Sequence, residues 1–462
     1  MIEPGRGDRR FQADEWRDNA WYSLLEQTYL LNARLLDDMV EASDLDAKAK
    51  HKARFFARQF IDSMSPANFA ATNPDALRLA LETGGESVKA GLDNLLADLK
   101  RGRISITDET AFEVGRNVAV SKGSVVFENA LFQLIQYAPL TEQVAHRPLL
   151  IVPPCINKFY ILDLQPENSF VRFAGEQGQT VFLMSWCNPG PELGQTTLGR
   201  LRRAGRDQGR SRSRWRSAAP TRSMRWAGAW AARSCRRRLA VLRARGDKSL
   251  ASLTLLTTML DFSSPGDLGV FIDEQRRGAA RAARSAAGGI YPGKELGFVF
   301  QTLRANDLIW PYVVIELPAR ASRPRRSICC TGMPTAPTCP DRCTAWYLRN
   351  MYLENNLCVP NRLTMCDTTV DLGRIDMPSY VLATQEDHIV PWRAAYRTTQ
   401  LLGGKSQFVL GASGHIAGVI NPASKNKRSY WIDGSAGRRR RAMAGVGEDG
   451  PGQLVDPLDA NG

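Results

Sequence analysis

The pattern of hydrophobic and polar positions divides the chain into a helical first part and a second part rich in strands. Over residues 11–102 apolar side chains recur at helical spacing, as the leucines of residues 24–36 show. Pro66 and Pro74 interrupt this pattern, which therefore predicts several helices. The first helix is unusually aromatic. We interpret it as packed on a core, with docking on an apolar surface as the alternative.

Short apolar runs replace the helical spacing after residue 148. A helical stretch, residues 392–402, lies between the last two runs. Buried strands that alternate with helices are typical of a mostly parallel sheet with helices on both faces, so the chain is predicted to be an α/β protein. The runs that predict strands cover residues 149–152, 180–186, 251–260, 379–384 and 407–410.

Two domains and a tail follow from these patterns. We predict a helical domain over residues 1–145, an α/β domain over residues 146–431, and a disordered tail over residues 432–462. Within the second domain, residues 200–238 and 317–344 are predicted to be irregular, because they have no sustained apolar period.

The net charge is concentrated in the first of these irregular segments. The chain carries 61 Lys and Arg against 47 Asp and Glu, a formal balance of +14. Residues 200–238 hold fourteen of the arginines and a single acid, Asp207, so they carry +13 of that balance. A basic surface favours nucleic acid or an anionic membrane as partner. Because the other residues are nearly neutral, we predict no nucleic-acid partner, with a binding module built on residues 200–238 as the alternative.

Cysteine usage and apolar run lengths bear on location. Nine cysteines in a chain of 462 residues do not suggest a secreted disulfide scaffold. Residues 1–10 contain no apolar core of a signal peptide. No apolar run approaches the roughly 18–20 residues of a membrane span. The sequence therefore predicts a cytoplasmic protein without a transmembrane segment.

The strongest chemical signal follows the last two predicted strands. Asp387 comes directly after the fourth run, and His415 comes directly after the fifth. In α/β-hydrolase sheets the catalytic acid and histidine occupy such positions, in the chain order nucleophile, acid, histidine. His415 would act as general base and Asp387 would orient its ring, with loop hydrogen bonding as the alternative interpretation. His146 and His388 are interpreted as structural.

The nucleophile that should precede this pair is missing. No G-x-S-x-G or G-x-C-x-G stands between the second and fourth predicted strands. Cys235 lies in the right region but has no strand before it and no flanking glycines, so it is not assigned as the nucleophile. Cys155, directly after the first strand, is interpreted as a packed neighbour. The four cysteines of residues 329–343 lack the paired spacing of zinc sites, so no metal is predicted.

Seven segments of the chain carry long and specific motifs. They are 153–169 (PPCINKFYILDLQPENS), 185–189 (SWCNP), 252–274, 345–350 (AWYLRN), 386–392 (EDHIVPW), 411–418 (GASGHIAG) and 421–431. These segments resemble the class I polyhydroxyalkanoate synthases, and together with the N-terminal helices they cover most of the chain. The resemblance implies an α/β-hydrolase fold that polymerises (R)-3-hydroxyacyl-CoA, above all 3-hydroxybutyryl-CoA, and releases CoA through a Cys-Asp-His triad. It places Asp387 at the acid position and His415 at the base position.

The resemblance also implies the surroundings of the reaction. Backbone N–H groups after the nucleophile and near Ile156 would stabilise the oxyanion. No cofactor is implied beyond the coenzyme A thioester that serves as substrate. The implied partners are the growing polyester chain, the surface of the polymer granule and a second copy in a homodimer, with a cytoplasmic, granule-associated location. A thioesterase or depolymerase on the same fold is the alternative.

The departures from the family fall in windows whose composition suggests a shifted reading frame. These windows lie near 198–239, 276–287 and 316–344 and after residue 431. The Trp-Ala pairs at 226–227 and 230–231 each force a glycine codon when the frame starts one base earlier. The codon that straddles Gly228 and Ala229 then permits cysteine, in a possible L-G-W-C-V-G-G.

We therefore interpret the windows as out-of-frame translation. The chain as written retains the acid and base but has no positioned nucleophile, so we predict that it is inactive as a synthase. The same interpretation predicts that the strand of the nucleophile, at the centre of the sheet, is lost.

Overall fold

A computed structural model describes most of the chain. It divides into two compact units, residues 1–112 with 294–334, and residues 113–293 with 335–462. The described residues are 1–5, 8–102, 104–154, 158–194, 224–229, 240–274, 289–312, 339–365, 368–415, 417–420, 429–433 and 450–451.

The elements follow one another in the order helices, strands, then alternating strands and helices. The α-helices are α1 Glu15–Asp18, α2 Ala20–Ala42, α3 Ala47–Ser63, α4 Pro74–Glu82, α5 Glu86–Arg101, α6 Phe170–Glu176, α7 Gly293–Thr302, α8 Ala305–Leu308, α9 Asp341–Tyr347, α10 Trp392–Leu401 and α11 Ala417–Ile420. The strands are β1 Gly123–Glu128, β2 Phe132–Tyr137, β3 Leu149–Ile151, β4 Val181–Trp186, β5 Met224–Ala229, β6 Leu250–Leu256, β7 Ile290–Tyr291, β8 Cys339–Pro340, β9 Leu363–Met365, β10 Thr368–Val370, β11 Ser379–Thr384, β12 Ser406–Gly411, β13 Ser429–Asp433 and β14 Gly450–Pro451.

The first unit is helical, as the sequence predicts for residues 11–102. Side chains start its helices: Asn19 accepts a hydrogen bond from the N–H of Trp21, and Asn73 accepts one from the N–H of Ala76. Its core includes Trp16 and Tyr29, which are buried. Trp21, in contrast, is 60% exposed, so packing on a core accounts for only some of the aromatic side chains of the first helices.

The second unit is built on a sheet with the strand order β1-β2-β4-β3-β5-β6-β11-β12-β13-β14. All neighbouring strands from β4 through β12 are parallel, whereas the two strands at each end are added antiparallel. The prediction of a mostly parallel sheet is confirmed. Four of the five predicted strands keep their bounds within about one residue, as β3, β4, β11 and β12, but the third, β6, ends at Leu256 rather than at residue 260.

The central strand β5 corrects the prediction for residues 200–238. Met224–Ala229 forms a strand between β3 and β6, parallel to both, so the expectation of an irregular segment without its strand is wrong here. The segment has no strand-like apolar alternation. Ladder hydrogen bonds to neighbours on both sides hold it instead, which sequence periodicity cannot report. Cys235 lies outside the described residues.

Four further boundaries differ from the prediction. Strand β8 and helix α9 begin inside residues 317–344, and β13 with β14 extends the sheet into the tail predicted to be disordered. The second unit begins at residue 113 rather than 146, because β1 pairs with β2 and β2 pairs with β4. Residues 294–312 group with the first unit.

Two apolar clusters hold the sheet. Helix α6 covers β3 and β4 through Val171 and Ala174, which pack with Leu149 and Leu183. A second cluster lies near the ends of the later strands and consists of Leu256, Leu382, Val409 and Val419. None of the helices in the described part of the chain is both long enough and apolar enough to cross a membrane.

Candidate active site

Strands β11 and β12 end side by side and release two loops at the same edge of the sheet. The last pair in their parallel register is Thr384 with Gly411. Beyond it the N–H of Gln385 donates to the carbonyl of Gly411 over 2.8 Å, and the N–H of Glu386 donates to that of Ser413 over 3.0 Å. We call residues 385–391 the acid loop and residues 412–415 the base loop. Backbone hydrogen bonds therefore join the two loops where they leave the sheet.

The acid loop and the base loop bring Asp387 and His415 into direct contact. His415 Nδ1 lies 2.6 Å from Asp387 Oδ2. The Asp387 side chain is fully buried, and that of His415 is 13% exposed. A ring that donates from Nδ1 to a carboxylate carries its free lone pair on Nε2 when neutral, which is the tautomer a general base requires. The two residues that the sequence singles out are thus paired.

The second oxygen of the Asp387 carboxylate is held by the backbone of its own loop. Oδ1 accepts hydrogen bonds from the N–H of Ile389 at 2.9 Å and from the N–H of Val390 at 2.8 Å. Charge-assisted bonds of this kind are short and strong, and they stabilise an ionised carboxylate inside the protein. The backbone of the acid loop therefore fixes the position of the Asp387 carboxylate independently of its contact with His415.

The segment that follows β6 supports the acid loop. Gly266 has φ +67°, and a Cβ there would lie 2.7 Å from the carbonyl oxygen of His388 and 3.1 Å from Cδ of Pro391. Only glycine fits both the left-handed backbone and this close approach. The carbonyl of His388 takes part in this contact, and His146 lies in the segment before β3.

A half-buried network anchors the start of that segment. Asp261 accepts a hydrogen bond from the Asn355 amide at 2.8 Å and lies 3.2 Å from Nη1 of Arg397 on α10. Burial would raise the pKa of Asp261, but hydrogen bonds from Ser263 and Asn355 and the charge of Arg397 hold that pKa below its ordinary value. An ionised carboxylate therefore ties the segment after β6 to α10.

The position expected for the nucleophile lies at the same edge of the sheet. Ala229, the last residue of β5, pairs with Leu256, which pairs with Leu382, which pairs with Val409. Asp387 and His415 follow the last two of these residues within a few positions along the chain. The carboxyl end of β5, where a shifted frame permits cysteine, is thus level with the strand ends that precede the acid and base.

Comparisons with known proteins identify the family. Residues 7–174 match the family of the poly-beta-hydroxybutyrate polymerase (PhaC) N-terminus. The chain is 50% identical over 441 residues to the poly(3-hydroxyalkanoate) polymerase subunit PhaC of Cupriavidus necator, covering 92% of this chain and 73% of that one. It belongs to the poly(3-hydroxyalkanoate) polymerase family.

The chain is also similar to a second polymerase subunit and, distantly, to a solved structure. The PhaC subunit of Rhizobium etli is 37% identical over 438 residues, 93% of this chain and 68% of that one. An α/β hydrolase from a lagoon-sediment metagenome covers 66% of this chain and 94% of its own at 11% identity, with a TM-score of 0.33. The strand order and the parallel pairing from β4 to β12, rather than this distant likeness, establish the α/β fold. As a polymerase family member the chain is classed with the acyltransferases.

Cys187 and Cys358 do not have the environment of the nucleophile that the polymerase family implies. Burial raises the pKa of the Cys187 thiol, and the charge of Glu128 raises it further. Burial also raises the pKa of the Cys358 thiol. Reactive cysteines have the opposite environment, which stabilises the thiolate. Cys155 and Ile156, the predicted packed neighbour and oxyanion position, lie outside the described residues.

No metal site is seen within the described ranges, where no three His, Cys, Asp or Glu side chains group together closely enough to hold an ion. Of the four cysteines weighed for zinc, residues 329 and 330 lie outside those ranges. Cys343 is on helix α9.

Sequence inspection missed the residues that hold this pair in place. Thr384 is fully buried beneath the acid loop, and Gly418 on α11 lies against it. Gly266 contacts the acid loop from a distant segment. The signal for Gly418 is present in Gly414-His415-Ile416-Ala417-Gly418, where a second glycine at helical spacing indicates a close approach.

Proposed function

We propose that the enzyme encoded by this gene polymerises (R)-3-hydroxyacyl-CoA, with 3-hydroxybutyryl-CoA as the first candidate, into polyhydroxyalkanoate with release of CoA. The 50% identity to the Cupriavidus necator polymerase along 92% of the chain is the observation that carries this proposal. The contact between Asp387 and His415 at the edge of the sheet supports it, because acyl transfer needs an oriented general base.

The residues would act in the following way. His415 takes the proton of a cysteine thiol at the end of β5, and the thiolate attacks the thioester carbonyl. The bond from acyl carbon to cysteine sulfur forms, the bond to the CoA sulfur breaks, and CoA leaves as the thiol with the proton from His415. Asp387 keeps the ring in the productive tautomer.

Chain growth then needs a second deprotonation. The 3-hydroxyl of the next unit loses its proton to His415 or Asp387 and attacks the acyl-cysteine, which forms the ester and frees the thiol. Backbone N–H groups after the nucleophile and near Ile156 would stabilise the oxyanion of both steps. We propose no cofactor beyond the CoA thioester.

The chain as written lacks the first participant in this scheme. Neither Gly228 nor Ala229 carries a nucleophile, although Asp387 and His415 are in place. Removal of a triad nucleophile costs several orders of magnitude in rate. We therefore propose that this chain is an inactive, frame-shifted product of a synthase gene.

The family resemblance supports three further proposals about the intact enzyme. These are a cytoplasmic location at the polymer granule, contact with the granule surface and the growing polyester, and assembly as a homodimer. Each proposal concerns the enzyme with its reading frame restored rather than the chain with residues 200–238 as written.

The deciding experiment compares the chain as written with a frame-restored variant that carries the G-x-C-x-G segment at the end of β5. Both receive 3-hydroxybutyryl-CoA, and free thiol and insoluble polymer are measured. The restored variant is expected to release CoA and form polymer, and the written chain to do neither. Release of CoA with free 3-hydroxybutyrate and no polymer would instead indicate the thioesterase or depolymerase alternative.

Sequencing the DNA across codons 195–245 tests the frame hypothesis separately. Single-base shifts at the window edges are expected. An intact frame, or CoA release by the written chain at the rate of the restored variant, would overturn the interpretation of residues 200–238.

A further inference from the structure

One buried side chain contacts the acid of the candidate catalytic pair and also faces the helix that follows the base. Thr384 is the last residue of β11 and is fully buried. Its hydroxyl donates over 3.5 Å to Asp387 Oδ2, the same oxygen that contacts His415. Its carbonyl accepts a hydrogen bond from the N–H of Asp387 at 3.3 Å. The hydroxyl end of Thr384 thus faces the acid.

The methyl group of Thr384 faces the segment that carries the base. Helix α11 follows the base loop, and the N–H of Gly418 in this helix donates to the carbonyl of Gly414 at 2.9 Å. A Cβ on Gly418 would lie 2.3 Å from Cγ2 of Thr384, and one on Gly411 would lie 3.6 Å from it. Only a residue without a side chain fits at position 418, so the methyl group sets how closely α11 approaches β11.

We propose that Thr384 is a positioning residue that sets the geometry of Asp387 and His415 together. Its hydroxyl restrains the carboxylate oxygen that accepts the hydrogen bond from His415 Nδ1. Its methyl group, through its contact with Gly418, sets the distance between β11 and the helix that follows His415. A displacement of about 1 Å costs roughly 10²-fold in rate when reacting groups must be aligned. The role in catalysis rests on the proposed function, but the geometry can be tested without it.

Nuclear magnetic resonance of the His415 ring reports the geometry directly. The chain has four histidines, so selective ¹⁵N labelling of histidine gives few signals to assign. The Nδ1 proton shared with Asp387 over 2.6 Å is expected far downfield and protected from exchange. This signal exists in the chain as written and needs neither nucleophile nor substrate.

Two substitutions distinguish the role of the Thr384 hydroxyl from the role of its methyl group. Thr384→Val keeps the shape and removes the hydroxyl, so we expect the downfield signal to weaken through faster exchange. Thr384→Ser keeps the hydroxyl and removes the methyl group, so we expect it to retain the signal. Equal signals in both variants would overturn the role of the hydroxyl.

A double variant tests the methyl contact. Gly418→Ala is expected to abolish the signal because its Cβ meets Cγ2 of Thr384. Thr384→Ser combined with Gly418→Ala is expected to restore most of it, since serine lacks that methyl group and leaves only an approach of 3.1 Å to Cβ of residue 384, which a shift of a few tenths of an ångström relieves. Gly414→Ala is the matched control, because a Cβ there meets only the Glu386 carbonyl oxygen at 3.9 Å and should leave the signal unchanged.

The rescue decides the proposal. Persistence of the signal in Gly418→Ala alone, or its absence from the double variant, whether folded or not, would overturn the contact argument. In the frame-restored enzyme Gly418→Ala should lower kcat about 10²-fold, with recovery in the double variant. A frame-restored enzyme that releases no CoA would contradict the proposed function and leave the resonance result standing.

Discussion

Replacement of Asp387 by asparagine should separate catalysis from folding. The carboxylate binds His415 through Oδ2 and two backbone N–H groups through Oδ1. Asparagine has nearly the same shape but only one acceptor oxygen. If that oxygen keeps the two backbone N–H groups, the amide NH₂ faces Nδ1 of His415. The ring must then accept at Nδ1 and hold its proton on Nε2, which removes the general base.

The magnitudes of the two effects differ widely. A wrong tautomer lowers kcat about 10⁴-fold, which corresponds to about 5 kcal/mol of transition-state stabilisation. In the folded state the two backbone bonds change from a charged to a neutral acceptor, and each weakens by about 1 kcal/mol. The amide also avoids part of the desolvation cost of a buried charge, so the free energy of unfolding should fall by at most about 2 kcal/mol.

Two measurements and two comparison variants check this reasoning. CoA release is measured in the frame-restored enzyme, and urea unfolding is measured in the same protein. Asp387→Ala leaves the N–H groups of Ile389 and Val390 without a partner and should cost about 2–6 kcal/mol of stability. Glu386→Gln removes the same charge from an exposed neighbour and should change neither quantity measurably.

The result that contradicts the reasoning is specific. If Asp387→Asn retains more than about a tenth of the rate, the carboxylate does not set the tautomer of His415. If it unfolds as easily as Asp387→Ala, the amide does not satisfy the backbone of the acid loop.

Three further predictions concern two side chains and a glycine of the second unit. Asp163→Ala should lower the free energy of unfolding by about 2–4 kcal/mol, because its buried carboxylate accepts hydrogen bonds from the hydroxyls of Ser121 at 2.7 Å and Ser169 at 2.6 Å. Urea unfolding measures this change, and a smaller loss of stability than that of Ser121→Ala would contradict the prediction. Gly266→Ala should destabilise more than Gly246→Ala, since both have positive φ but only the first would meet a backbone carbonyl, at 2.7 Å; equal thermal midpoints would disprove the contact. Asp261, whose pKa is lowered, stabilises the fold above its ordinary value of 3.8, and this contribution is lost as the pH falls through the lowered pKa; Asp261→Asn should therefore flatten the acid limb of stability against pH, and an unchanged slope would refute the assignment.

The candidate pair was predictable from sequence because it depends on local order along the chain. Asp387 and His415 each follow a short apolar run, and the carboxyl ends of parallel strands meet at one edge of a sheet. A residue placed just after each strand is therefore brought close to its counterpart. The bounds of β11 match the predicted 379–384 because both faces of that strand are buried.

Only tertiary contacts could place the remaining features. Strand β5 has no sequence pattern of a strand and is held by the ladders of β3 and β6 on either side. The requirement for glycine at 266 and 418 comes from residues far along the chain, a carbonyl at 388 and a methyl group at 384.

The sequence by itself determined the family, most of the buried strands in their order along the chain, and the candidate acid and base that follow two of them, because periodicity and motif spacing are local properties. The tertiary structure decided which strand fills the centre of the sheet and which side chains hold the pair at 2.6 Å. Those outcomes depend on hydrogen-bond ladders and steric limits between segments that a single run of residues does not contain.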